Sequence, residues 1–355
     1  MPPSSKRALP AEPHDDLEVH RVRINPDGLR KNYSYTRLQH TDETRLLIIQ
    51  PGELESDIHC TLHHVRFSEA PEYEALSYTW GSKEKPRRID CGEGCELAVT
   101  ENCFNAIKRL RWIDWPRTVW IDAVCIDQEN DPERGHQVRN MPSIYKQATR
   151  VIVYLGEAAD ESDRAMEYIH LEREPFRWEG KFPPPEVRKL LERAWFSRIW
   201  VLQEVYMAKE VTVLCGDKSV EWEPDIQLLS VWPAQNKLVQ FPQALSMRTA
   251  PWKSGMAQND LFYLLAETRH CHCEDPRDRI FALFSMSSEE SQLGINVDYT
   301  ISVEKLYINV AMDMLDRFGL EEGAVTLLAK LKVVPSQSSR YDLVKHLQMI
   351  LPFQR

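Results

Sequence analysis

Along this chain the spacing of apolar residues switches between a period of about two and one of about 3.6, and each switch marks an element. Arg45-Leu46-Leu47-Ile48-Ile49 is a short apolar run ended by Pro51-Gly52, and Ile58 to Phe67 alternates loosely; both predict strands. Glu74 to Gly81 predicts a buried strand that empties into a loop at the glycine. Arg88 to Leu97 sets Gly92 and Gly94 between two extended runs, the pattern of a hairpin. Thr100 is a candidate N-cap. Behind it Cys103, Phe104, Ile107 and Leu110 share one helical face, with Lys108, Arg109 and Arg111 opposite.

Thr118 to Ile126 is a continuous apolar, β-branched run broken only by Asp122, which predicts a central strand covered on both faces. A polar loop, Asp127 to Arg134, precedes a helix marked by Val138, Met141, Ile144, Tyr145 and Ala148, which Pro142 is expected to start, kink or split. Arg150 to Gly156 predicts the next buried strand. Strand, loop, helix and strand at this spacing predict a βαβ crossover and a parallel sheet. Residues 157–185 are charged and end in prolines, as an inserted surface segment does. Helical patterns follow at Glu186 to Ala194 and Arg198 to Met207, then a strand at Val211 to Gly216.

Further on, Leu261, Leu264 and Leu265 share a face, Asp275-Pro276 reads as an N-cap with proline at the first helical position, and Val303, Leu306, Tyr307, Val310 and Met314 form an amphipathic stripe. The expected architecture is α/β: a mainly parallel central sheet flanked by helices, with a helical C-terminal extension. Residues 1–32 read as a flexible leader, 33–220 as the main domain, 221–330 as a mainly helical extension and 331–355 as an unassigned tail.

Composition narrows the function. Hydrophobic residues make up 43% of the 355, enough for a sizeable core, and charged residues make up 28%. The net charge of −10 is spread along the chain and offers no basic face to a phosphate backbone, so no nucleic-acid partner is expected. No apolar stretch is long enough to cross a bilayer, and Met1 to Asp16 lacks the apolar region of a secretory signal. These features predict a cytoplasmic protein without a membrane partner. The eight cysteines are scattered, which argues against a disulfide framework. His270-Cys271-His272-Cys273 lacks a second ligand pair, so no metal site is assigned.

Four blocks, in order, resemble the fungal heterokaryon incompatibility (HET) domain family. The first is Tyr73 to Gly81. The second is Trp120 to Gln128, continuing through Glu133-Arg134 to Ile144-Tyr145. The third is Arg193 to Glu204, and the fourth is Asp275 to Leu283. Asp127 stands where the family more often has asparagine, and many relatives carry a longer C-terminal region. The resemblance implies a module of self/non-self recognition that triggers programmed cell death, working as a homo-oligomer or with a death-pathway protein.

The same order of elements, with Trp200 four residues before Glu204, is similar to a TIR domain, and so to a TIR-like or flavodoxin-like core. Some TIR domains cleave the glycosidic bond of NAD. That likeness implies Glu204 as a catalytic carboxylate, NAD as substrate and no resident cofactor. Ligands bind open α/β sheets at the carboxyl ends of strands, which nominates Ser77, Tyr78, Trp80, Gly81, Asp127 and Gln128 as substrate-binding residues. Trp80 can stack on a base or a nicotinamide ring.

Plainer roles stand beside these. Trp120, Trp195 and Trp200 read first as packing residues. A buried Asp122 needs a partner, and Arg198 or Arg134 is expected to form a structural ion pair with it. Glu204 can equally cap or pair on its helix, for example with Lys209. Ser77 lacks the Gly-x-Ser-x-Gly elbow of a hydrolase, and Cys125 reads as an inert core thiol. The alternative to an enzyme is a non-catalytic death-signalling module that acts by self-association or partner docking. A member that binds a ligand without reaction is a third.

Overall fold

The computed structural model describes residues 30–171, 184–222, 261, 264–265, 268–287 and 297–318, without the side chains at 170–171 and 314–318. The leader up to residue 29, more than half of the expected 221–330 extension and the 331–355 tail lie outside the described residues.

A seven-stranded mixed sheet organises the molecule. Its strands are β2 (Glu43–Ile49), β3 (Cys60–Arg66), β4 (Glu74–Tyr78), β7 (Arg117–Trp120), β8 (Val151–Tyr154), β9 (Val211–Cys215) and β10 (Lys218–Glu221), in the spatial order β10-β9-β8-β4-β7-β2-β3. The four central strands, β9-β8-β4-β7, run parallel, while β2, β3 and β10 join antiparallel. The α/β class is as expected, and the sheet is mixed rather than purely parallel. Continuous burial of β4 and β8 suits strands covered on both faces. The antiparallel edges come from hairpins, whose short connections reverse the chain. The apolar pattern gives no sign of β10.

A second sheet, β1-β6-β5, holds β1 (Lys31–Asn32) and the expected hairpin of β5 (Arg87–Asp90) and β6 (Cys95–Val99). Its turn places Gly92, Glu93 and Gly94 all at positive φ, which explains the glycines. Helix α1 (Glu101–Leu110) follows, and its Thr100 cap accepts a hydrogen bond from the Cys103 N–H at 3.2 Å.

The largest local correction falls after β7. The expected strand to Ile126 stops at Trp120, and Asp122–Cys125 forms a one-turn helix, α2. Helix α3 (Asp131–Gln147) then begins earlier than the apolar stripe suggests, because Asn130 caps it by accepting from the Glu133 N–H. It runs through Pro142 without starting or splitting there. The chain leaves β4 for β7 on one side, then returns past β4 to β8 on the other. That reversal puts the switch point between the carboxyl ends of β4 and β8, with the end of β7 on the other side of β4.

The expected surface segment from 157 contains helix α4 (Ser162–Leu171), whose Ala165 and Met166 are buried; residues 172–183 lie outside the described residues. Helix α5 (Pro185–Leu191) and a 3-10 turn (Ala194–Ser197) lead into α6 (Trp200–Met207). Downstream, α7 (Asp278–Phe284) packs on α6, and α8 (Val303–Phe318) buries Leu306, Tyr307 and Val310. Helix α7 starts at Asp278 rather than at Pro276. Asp275 is spent instead on a turn, accepting from the N–H and guanidinium of Arg277.

Candidate functional site

A polar centre lies where β4, α6 and the 3-10 turn meet. β4 alternates its side chains across the sheet, and Ser77 points to the side that α6 covers. There its hydroxyl donates to the carboxylate of Glu204 and accepts from the Trp195 indole N–H at 2.8 Å. Ser77, Trp195 and Glu204 are each exposed by no more than 2%. Such a chain of donors and acceptors satisfies three buried polar groups that would otherwise be costly to desolvate.

Burial pushes the Glu204 carboxyl up to about 7, against the pull of the Arg198 charge and the Ser77 hydrogen bond; the Asp122 charge adds to the rise. Arg198 is held in place by donating to the Tyr78 carbonyl at the end of β4. Tyr78 itself is buried, and burial drives its phenol well above the ordinary range, so it stays neutral.

Beyond the ends of β4 and β7 the Trp80 indole N–H donates to both oxygens of Asp122, at 2.9 and 3.1 Å. Asp122 also accepts from the Ala123 N–H at 2.7 Å, as the first residue of α2. The enclosure of its carboxyl raises its pKa, while Arg198, Trp80 and Ala123 lower it. The loop after β4 turns at Gly81, whose φ of +74° favours glycine, and a Cβ there would meet the Asn102 amide at 2.9 Å.

Of the expected substrate-binding residues, Ser77 directly meets Glu204, while Trp80 closes onto Asp122. Asp127 and Gln128 are committed locally. Asp127 accepts from the Glu129 N–H at 3.2 Å, and the Gln128 amide donates to the Asp122 carbonyl at 2.8 Å. The expected ion pairs take a different form. Arg134 pairs with Asp131 at 2.9 Å, one helical turn away, not with Asp122. Arg198 acts on Asp122 through its charge, with no contact within ion-pair distance among the described residues. Glu204 is bound by Ser77, while the Lys209 ammonium donates to the Gln147 carbonyl. Cys125 sits in the core with its thiol pushed up to about 12 by burial, which leaves it unreactive.

Trp195 belongs to the site although its sequence pattern marks it only as a packing residue. The available signal is physical: a buried tryptophan needs an acceptor for its N–H, and Ser77 lies on a strand expected to be buried. The fourth block is also tied to this centre. Asp278 accepts from the Tyr299 hydroxyl at 2.6 Å, and Ser285, just after α7, donates to Gln203 of α6 at 2.8 Å. Helix α6 is thereby held from below by residues beyond it in sequence.

Residues 73–204 match the family model described as heterokaryon incompatibility protein (HET). The chain is similar to "Heterokaryon incompatibility protein 6, OR allele" of Neurospora crassa, 24% identical over 76% of this chain and 51% of that protein. It is also similar to "Vegetative incompatibility protein HET-E-1" of Podospora anserina, 28% identical over 42% of this chain and 10% of that protein. The chain thus spans about half the length of the first relative and a tenth of the second. No solved structure matches it. The segment that matches the HET family model begins just before β4 and ends at Glu204, and it carries Ser77, Asp122, Trp195 and Glu204.

Proposed function

We propose that this chain acts in fungal self/non-self recognition as an incompatibility-type trigger of programmed cell death. The names of both relatives support that reading, and the polar centre lies inside the segment shared with the family.

The chemistry proposed for it is cleavage of the nicotinamide–ribose bond of NAD. The observation that carries this reading is the Ser77–Glu204 contact, a carboxyl with a pKa of about 7 at the carboxyl end of a parallel strand. In that reaction the glycosidic bond breaks, nicotinamide leaves with the bonding pair, and water adds to the ribose carbon with loss of a proton. The Glu204 carboxylate stabilises the positive charge that builds on the sugar or holds its hydroxyls. Ser77, Tyr78, Trp80, Gly81, Asp127 and Gln128 then serve the substrate, which reaches Glu204 once the Ser77 and Trp80 hydrogen bonds have opened.

One observation favours a second reading. Glu204 is 2% exposed and bonded to Ser77, as suits a centre that holds the domain together while it signals by self-association or docking to a death-pathway partner. Inducible expression of wild type and Glu204→Ala, with viability and NAD measured together, separates the two. Enzymatic killing requires NAD loss that disappears in the variant. NAD left intact while cells die supports signalling, and survival of cells at full expression of the wild type refutes the death trigger itself.

A further inference from the structure

Among the described residues the large hydrophobics left exposed are Leu54, Trp112, Ile113 and Trp115, and all four belong to two adjoining loops. Ile113 and Trp115 are 71% and 72% exposed. Isolated apolar residues at a surface are ordinary, but four gathered together mark a contact site.

The loops that carry them are fixed in place. The Gly52 N–H donates to the Trp112 carbonyl at 3.0 Å, and the buried Arg111 guanidinium bonds the carbonyls of Glu53, Ser56 and Asp57. Arg117 stacks on the Trp112 ring at 4.8 Å and donates to the Leu110 carbonyl at 2.7 Å. The apolar residues are therefore presented on a pre-organised frame, which lowers the entropy lost on association.

The other flank of the 51–57 loop lines a cleft of about 570 Å³. Its lining is mainly polar and charged, with Leu54 and Phe104 among its apolar side chains, and Arg87 stacks on Phe104 at 4.1 Å. Three of its bases are paired with carboxylates: Arg30 with Asp90 and Glu96, Arg87 with Glu101, and Lys108 with Glu55. Arg88 is not. It donates to the Asn32 amide oxygen and has no carboxylate within ion-pair distance among the described residues. On the neighbouring loop Asp114, flanked by Ile113 and Trp115, has no partner among the described residues. Asp57 also lines the cleft, so an incoming acid must seat on the Arg88 side.

We infer that these two features meet in a second copy of this chain: the Ile113-Asp114-Trp115 loop of one protomer seats in the partner's cleft, with Asp114 against Arg88 of the partner subunit. Loop and cleft share one face, on either side of the 51–57 segment, so a two-fold axis makes the contact twice and closes the dimer. The apolar side chains of the loop supply the area buried, and its acid meets the cleft base that lacks a carboxylate. The inference gives a surface to the association reading of the function, and its failure leaves the NAD reading untouched.

The test is sedimentation velocity of the full chain across the micromolar range, with exchanged charges. Wild type is expected to dimerise. Arg88→Glu alone and Asp114→Arg alone should each weaken self-association about tenfold. Mixed together, the two variants should recover it, because each loop then faces a cleft of opposite charge. Recovery in the mixture also shows that neither variant is misfolded. A wild type that stays monomeric, variants that dimerise undiminished, or a mixture that gains nothing would overturn the inference. So would binding of a monomeric wild type to phosphatidylcholine vesicles that is lost in Trp115→Ser, since that assigns the loop to lipid.

Discussion

The hydroxyl of Ser77 on β4 is bonded to the carboxylate of Glu204 on α6, joining strand and helix across 127 residues of sequence, and it is oriented by the Trp195 indole. The hydroxyl accepts from the indole and donates to the carboxylate, so the two contacts assign its single proton. The consequences can be measured.

Glu204→Gln keeps the side-chain volume and an acceptor for Ser77, whereas Glu204→Ala leaves a cavity and a buried hydroxyl without its acceptor. The alanine variant should be less stable than the glutamine variant by about 2 kcal/mol in urea unfolding. Equal midpoints for the two would mean that the Ser77 contact contributes nothing.

The pH dependence of stability should carry the Glu204 signature. Its folded pKa of about 7 lies above the ordinary carboxyl value of 4.5, so between those limits the folded chain holds a proton that the unfolded chain has released. Stability from this group is therefore full below the unfolded value and falls as pH rises to about 7, by roughly 3 kcal/mol at most. Glu204→Gln should flatten that slope. An unchanged slope in the variant would assign it to other groups, of which Asp122 has the same sign.

Trp195→Phe removes the indole N–H while keeping most of the buried ring. The cost should be on the order of 1 kcal/mol beyond any loss of packing, and Ser77→Ala in the same background should cost less than it does in wild type. A double-mutant cycle checks this, and additive costs would show that the indole and the hydroxyl are not coupled.

Trp80→Phe takes both indole hydrogen bonds from Asp122 and leaves it the Ala123 N–H and the field of Arg198. A loss of about 1–3 kcal/mol is expected by thermal unfolding, with a smaller one for Asp122→Asn, which removes the charge together with its need for a partner. The reverse order would mean that the Asp122 charge itself stabilises the loop after β7.

Gly81→Ala combines an unfavourable positive φ with a Cβ placed 2.9 Å from the Asn102 amide nitrogen. Roughly 1–2 kcal/mol should be lost, and pairing it with Asn102→Ala should recover only the clash. Full recovery in the double variant would show that the backbone conformation carries no strain.

Much of the fold is legible in the order of residues alone. The apolar runs at Leu46 to Ile49, Ala75 to Tyr78, Val151 to Tyr154 and Val211 to Cys215 all form strands, since short apolar runs bounded by polar or turn residues are too brief for a packed helix. The hairpin glycines and the Thr100 cap are equally local, because turn and cap chemistry depends on neighbours a few residues away. The run after Trp120 is ambiguous on this basis, because a buried helical turn and a buried strand are both continuously apolar; Asp122 at its start opens a helix and does not interrupt a strand.

Partner choice is a different matter. Local pattern tells which side chains leave water, and on that basis Ser77, Asp122 and Glu204 all count as polar residues with buried neighbours. Which of them touch is decided by how the chain passes β4 twice, to β7 on one side and to β8 on the other, and by where α6 then lies across β4. Arg134 has an acid one helical turn away and takes it, while Asp122 meets an indole from a loop 42 residues earlier. A buried polar group takes the partner that the packed chain brings within about 3 Å, and that distance exists only once the sheet has formed.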